Sequence, residues 1–285
     1  MMNAPCGPVL SRFQVEPIWR AWQAGQSTAN TSLDLGLTAC EVALTTAGVA
    51  LPDGQTLEWA TLDAIAGSES ACFAIERSAA VKIQFFSEPH NRLYSLMPTE
   101  GAPTLLVSGL PMHRIKGTDP YRDTLTKIRA IAPIRGRVLD TATGLGYTAI
   151  EAARSAEQVI TIELDAAALQ VARRNPWSRG LFDNPRIQQI VGDAFEEVQT
   201  FEDGSFACII HDPPTFSLAG ELYSEAFYRQ LLRVLQRGGK LFHYIGDLDS
   251  PSGQRVCRGA MRRLQSAGFQ KVARQPDAFG LKACR

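Results

Sequence analysis

From residue 137 onward one pattern of apolar and polar positions repeats. A short apolar run is followed by a small or polar turn, then by a longer segment with apolar residues three and four apart. The apolar runs Arg137–Leu139, Val159–Ile162, Ile187–Val191, Ala207–His211 and Lys240–Ile245 read as strands. Between and after them, Tyr147–Arg154, Asp165–Asn175, Glu221–Leu235 and Ser252–Ala267 read as amphipathic helices. Leu222, Phe227, Leu231, Val234 and Leu235 form one apolar stripe, ended by Arg237-Gly238-Gly239; Gly268 closes the last helix. Residues 269–273 and 279–283 pair as a terminal hairpin. Strands alternating with helices predict an α/β fold with a mainly parallel sheet.

The preceding stretch has a different rhythm. From Thr31 to Lys116 short alternating runs predominate. They are Ser32–Thr38, Val49–Leu51 with Thr56-Leu57 around Pro52-Asp53-Gly54, Ala71–Ile75, Val81–Phe86, Arg92–Met97, Thr104–Val107 and Leu110–Arg114, with a helical turn at Leu62–Ala66. This predicts a small, mainly antiparallel module over residues 30–118. Residues 1–29 carry Pro5, Pro8 and Pro17 and little periodicity. They read either as a partly ordered N-terminal tail or as a short helix showing Trp19 and Trp22 on one face. Asp119-Pro120 predicts the start of a helix over Tyr121–Ile131, with Tyr121, Leu125 and Ile128 on one face. The expected division is therefore a tail (1–29), a small mainly-β domain (30–118) and an α/β domain (119–285).

Composition narrows the function classes. The 285 residues are 45% hydrophobic, enough for a sizeable core. Lys+Arg and Asp+Glu both number 29, so no whole-molecule field draws the chain to nucleic acid. The six cysteines are far apart and form no C-x-x-C pair, which suggests neither a metal site nor a redox motif. No stretch approaches the length of a membrane span, and the expectation is a cytoplasmic protein with no membrane partner.

Candidate chemistry sits where the strands end. Asp140 closes the first strand, and Thr141-Ala142-Thr143-Gly144-Leu145-Gly146 links it to a helix beginning at Tyr147. Glycines there let a ligand approach the backbone, and the helix start offers free N–H groups. Glu163 ends the second strand, where an acid can accept both hydroxyls of a ribose. Gly192-Asp193-Ala194 follows the third, and Asp212-Pro213-Pro214-Thr215-Phe216 the fourth. Ligands of open α/β sheets bind at this edge.

These four motifs, in this order, resemble those of class I S-adenosylmethionine (SAM) methyltransferases, with Ala142 where the family has its first glycine. The resemblance covers roughly residues 119–285 and implies a seven-stranded Rossmann-like sheet. It implies SAM as cofactor, held by Asp140, Ala142, Thr143, Gly144, Gly146, Tyr147, Glu163, Leu164, Asp193, Ala194 and Asp212, with Asp193 at the adenine amino group. In families with an Asp/Asn-Pro-Pro-aromatic motif the acid and a prolyl carbonyl accept hydrogen bonds from a target amine. That makes Asp212 the expected catalytic residue; Phe216 is a candidate for the ring position that Thr215 occupies, and His211 a candidate proton handler.

A second resemblance lies upstream. Leu105–Met112 with Asp119-Pro120-Tyr121, and Leu222–Tyr228 downstream, look like segments of spermidine synthases, which use decarboxylated SAM. Their fourth strand ends in acid-x-x-Asp-Pro, whose first acid is the base. Laying their Asp-Pro on Asp212-Pro213 puts Ile209 at that position, and a base cannot be apolar. The whole chain is similar to an uncharacterised archaeal-type group of predicted methyltransferases with a spermidine-synthase-like N-terminal module. The expected activity is N-methylation of a small molecule or nucleic-acid base. Aminopropyl transfer and a non-catalytic SAM-fold binding module are the alternatives. Expected partners are a methyl-acceptor substrate, either a metabolite or RNA, and a second copy in a homodimer. Arg255, Arg258, Arg262 and Arg263 read as a solvated helix face or a phosphate-following stripe.

Overall fold

The computed structural model describes residues 7–285. The chain divides into two compact units. One holds the described residues through Tyr121 together with Ala167–Arg179; the other holds Arg122–Ala166 and Gly180–Arg285.

In the first unit β1 (Val9–Leu10) leads into α1 (Arg12–Gln23), then β2 (Thr28–Thr31), β3 (Cys40–Thr45), β4 (Gly48–Ala50), β5 (Thr56–Glu58) and α2 (Trp59–Ala66). There follow β6 (Phe73–Glu76), β7 (Ala79–Lys82), β8 (Gln84–Ser87), β9 (Arg92–Met97), β10 (Thr104–Val107) and β11 (Leu110–Pro111). They form three antiparallel sheets, ordered β1-β6-β7, β2-β3-β4-β5 and β11-β10-β9-β8. Leu10, Val15, Ile18, Val42, Val49, Leu57, Leu62 and Ile65 are buried in one apolar cluster.

Three expectations are corrected here. Residues 7–29 are not a tail: Ser11 caps α1 in a reciprocal capping box with Gln14, and Trp19 and Trp22 lie 4.8 and 4.6 Å from the Trp59 ring. Residues 1–6 of the expected tail lie outside the described residues. Ser32–Thr38 is a turn rather than a strand. Asp34 gathers Ser32 Oγ and both the N–H and hydroxyl of Thr38, and Leu35 and Gly36 take φ of 57° and 91°. The unit boundary falls after Tyr121, and Ala167–Arg179 joins the first unit from a distant stretch of sequence.

The second unit begins in α3 (Pro120–Ile131), whose start is capped by Asp119 Oδ1 accepting the Tyr121 N–H at 2.9 Å. Along the chain next come β12 (Arg137–Asp140), α4 (Tyr147–Ala152), β13 (Gln158–Glu163), α5 (Ala166–Arg174), which from Ala167 onward belongs to the first unit, then α6 (Arg179–Asp183), β14 (Ile187–Val191) and α7 (Ala194–Thr200). The chain closes with β15 (Phe206–His211), α8 (Glu225–Val234), β16 (Leu235–Tyr244), α9 (Pro251–Ala267), β17 (Gln270–Gln275) and β18 (Gly280–Cys284). The seven-stranded sheet has the order β14-β13-β12-β15-β16-β18-β17. Its first five strands are parallel, and β18 runs antiparallel to both β16 and β17. Strand order reverses between β12 and β15, and ligands of open α/β sheets bind outside the carboxyl ends of the strands at such a switch point.

The inner strands are apolar because helices cover both faces of a parallel sheet. Leu139, Ile160, Ile209, Leu241, Phe227, Leu231 and Leu264 pack into one buried cluster. Gly238 lies inside the irregular start of β16, so α8 ends earlier than expected, at Val234. Among the described residues no helix is long and apolar enough to cross a membrane.

Candidate active site

The parallel strands bring their last residues to one edge of the sheet. Asp140 ends β12, Glu163 ends β13, Gly192-Asp193 follow β14, and Asp212 follows β15. The loop after β12 continues both neighbouring ladders. Thr141 N–H donates to the Ile210 carbonyl at 3.0 Å, and Thr143 N–H to the Ile162 carbonyl at 2.9 Å. Gly144 and Gly146 take φ of 53° and 78°. A side chain at Gly146 would press on Leu181, at 2.7 Å, whereas beside Gly144 there is open space. Gly146 is therefore required by packing, and Gly144 leaves a cradle.

The carboxylates differ in their surroundings. Asp140 is fully buried; its Oδ2 accepts the hydroxyls of Thr161 (2.9 Å) and Thr148 (3.2 Å), and its Oδ1 has no partner. Burial pushes its carboxyl up to about 7. Glu163 Oε2 accepts the Gly144 N–H at 2.8 Å and Oε1 the Asp165 N–H at 3.2 Å. Burial pushes Glu163 up to about 7 as well. Both oxygens keep lone pairs for a diol. Asp193 accepts the Phe195 N–H at 2.7 Å and so caps α7. Leu164 and Val191 flank these acids and are 43% and 54% exposed, open apolar surface of the kind a purine covers. Ala142 is half-buried, and Thr143, Tyr147 and Ala194 are buried. The Thr143 hydroxyl lies 2.6 Å from that of Thr161.

Asp212 carries a partner that periodicity conceals. Lys127 Nζ, from α3, donates to Asp212 Oδ2 at 2.6 Å, lies 3.0 Å from Asp123 Oδ2 and sits 4.2 Å from the centre of the Tyr244 ring. The buried face of α3 thus carries Asp123, Thr124, Lys127 and Ile131, while Tyr121, Leu125 and Ile128, expected to form it, are half-buried. The one available signal was the Asp123–Lys127 spacing of four. The two carboxylates hold the Lys127 ammonium charged against the opposing effect of burial.

His211 is corrected from proton handler to structural tie. It is fully buried; Nε2 faces the Leu222 carbonyl at 2.9 Å and Nδ1 the Thr141 hydroxyl at 2.7 Å. A carbonyl only accepts, so Nε2 carries the proton and Nδ1 accepts. Burial pulls the ring down to about 3, which keeps it neutral. Phe216 is 49% exposed, its ring set edge-on to Tyr223 at 5.4 Å. Tyr223, which the sequence did not single out, donates its hydroxyl to the Pro214 carbonyl at 3.1 Å and fixes the Pro-Pro turn.

The register against spermidine synthases is also corrected. Ile209 is a fully buried residue within β15, three positions before Asp212. Asp212 is the first acid beyond the strand, where the first acid of their pattern belongs. Strand ends, rather than shared dipeptides, fix position at a sheet edge, so the objection based on Ile209 falls. The second acid of that pattern then meets Thr215.

A glycine cradle, an orphaned buried carboxylate oxygen and a strand-end glutamate with lone pairs to spare, on a sheet of this strand order, fit S-adenosylmethionine, and they define a class I SAM-dependent methyltransferase fold. A family profile described as "Methyltransferase domain" matches residues 138–239. An uncharacterised protein of Methanocaldococcus jannaschii is 47% identical over 198 residues, covering 69% of this chain and 68% of that one. The chain belongs to the family of that archaeal protein; it carries a SAM-methyltransferase-type domain and shares the spermidine synthase fold. A polyamine aminopropyltransferase of Aeropyrum pernix is 34% identical over 91 residues, 30% of this chain and 29% of its own length. A spermidine synthase solved with the transition-state analogue AdoDATO shares the fold at a TM-score of 0.57 and 19% identity, over 73% of this chain and 76% of that one.

Proposed function

We propose that this chain transfers the methyl group of SAM to a nitrogen nucleophile held over Asp212. The observation that carries the reading is the row of Asp140, Glu163, Asp193 and Asp212 at the ends of β12, β13, β14 and β15, with the Gly144–Gly146 loop inside it. In this reading Glu163 takes the ribose hydroxyls, Asp193 the adenine edge, and Asp140 the cationic end of the methionine moiety. Bound SAM supplies an electrophilic methyl on a sulfonium. The residues act by positioning: Asp212 accepts an acceptor N–H and aims the nitrogen lone pair, Tyr223 holds the Pro214 carbonyl in place, and Phe216 covers the acceptor's ring or chain. The lone pair forms the new bond to carbon, the sulfur keeps the pair of the broken bond, and the proton shed by nitrogen passes to water.

Calorimetric titration with SAM and S-adenosylhomocysteine tests the donor half. Saturable binding of both is expected, at roughly micromolar affinity; a folded protein that binds neither rejects the reading. A second reading, aminopropyl transfer from decarboxylated SAM, draws support from the place of Asp212 at the strand end and from the polyamine aminopropyltransferase similarity.

A further inference from the structure

Methyl transfer does not by itself call for Lys127. The side chain is nevertheless built in with care: 2% exposed, anchored by Asp123 one turn away on the same helix, and set against the Tyr244 ring. Its ammonium meets the one carboxylate of the cluster that keeps access to solvent, since Asp212 is 17% exposed and Asp123 only 1%.

We propose that Lys127 is a specificity-determining residue that takes, from inside the protein, the place a substrate ammonium would hold on Asp212, so that the acceptor is an uncharged nitrogen and not a protonated polyamine. The inference rests on the reading of Asp212 as the acceptor-binding carboxylate. A carboxylate recruits a cation through charge that nothing else compensates. Here Lys127 stands at contact distance; Asp123 offsets its charge but is 1% exposed and out of an incoming cation's reach, so a second ammonium on Asp212 would meet Lys127 first, across a few ångströms of poorly screened space. The Tyr244 face, which could also attract a cation, is already covered by Lys127. A neutral N–H donor meets no such repulsion and can use the lone pairs Asp212 has left. It also has a free lone pair at neutral pH, so it needs no base to become a nucleophile, whereas an ammonium does.

The test uses full-length protein loaded with S-adenosylhomocysteine and putrescine as the cationic probe. The wild type is expected to bind putrescine weakly. Lys127→Met combined with Asp123→Asn, which removes both charges together, is expected to bind it at least about ten-fold more tightly, while Lys127→Arg shows no gain. A merely structural lysine would not produce this exchange of selectivity. A folded double variant with no gain overturns the proposal, as does a gain of equal size in Lys127→Arg. If the double variant fails to fold, the wild type decides: methyl transfer from labelled SAM to putrescine that saturates at micromolar putrescine overturns it, and its absence supports it. Failure of the donor reading is distinct, because it appears as loss of SAM binding by the wild type.

Discussion

Asp140 and Glu163 tie the site to pH. Burial pushes both carboxyls up to about 7, from ordinary values of 3.8 and 4.5. A raised carboxyl binds its proton more tightly in the folded state than in the unfolded one. The stability it confers is therefore complete below the ordinary range and is lost as pH rises through about 7. The free protein should show a falling unfolding midpoint between pH 4.5 and 8 from these two groups, by at most about 1.4 kcal/mol per pH unit for each. A cationic ligand reverses the sign, because it favours the ionised carboxylates. SAM affinity is expected to rise between about pH 6 and pH 8, with proton release visible as a buffer-dependent heat. S-adenosylhomocysteine, lacking the sulfonium charge, should show a shallower slope; equal or flat slopes for the two would refute the assignment. At this scale the four strand-end acids were legible, since an acid closing an apolar run marks a sheet edge. Lys127 was not, because its partners Asp212 and Tyr244 lie far away in sequence and a charged residue on a helix reads as solvated.

In the loop between β12 and α4 both glycines take a left-handed backbone, and what separates them is packing need from ligand need. Gly146, at φ 78° and with Leu181 only 2.7 Å from where a methyl group would be, answers to packing. Gly144, at φ 53° with open space beside it, answers to the cradle. Gly146→Ala is expected to cost about 1–2 kcal/mol of stability from the left-handed backbone alone, with more from displacing Leu181, read as a drop in thermal midpoint. Gly144→Ala should cost less stability but a larger share of SAM affinity, because its methyl projects into the space the ligand would use. The opposite ranking in paired melting and titration experiments would show that Gly144 does not border the donor. The α/β elements were legible because each strand and the helix after it are local and differ in period. The N-terminal sheets were harder to read. β1 pairs with β6 across a long stretch of chain, and the alternation of Ser32–Thr38 belongs to a turn organised by Asp34. On α3 the apolar period pointed to the wrong face, because the buried face is charged.

Taken whole, the molecule shares its fold with a spermidine synthase and holds a lysine against the carboxylate that follows β15. Its net charge is zero, so acceptor choice falls to that sheet edge and not to long-range attraction. Two local features bear on the reaction: Lys127 is paired with Asp212, and Thr215 stands where the second acid of the spermidine synthase pattern would fall. Aminopropyl transfer to a diamine needs a carboxylate that both attracts an ammonium and removes its proton. A carboxylate held by a lysine at 2.6 Å is poorly placed to do either. Methyl transfer to a neutral nitrogen asks only for aim. Supplied with putrescine and decarboxylated SAM, the protein is therefore expected to form no spermidine, while SAM is consumed once an uncharged acceptor is provided. Chromatographic separation of the polyamines, beside S-adenosylhomocysteine release from SAM, measures both arms in one experiment. Spermidine accumulating faster than SAM is consumed would make Asp212 a working base despite Lys127, and the chain an aminopropyltransferase.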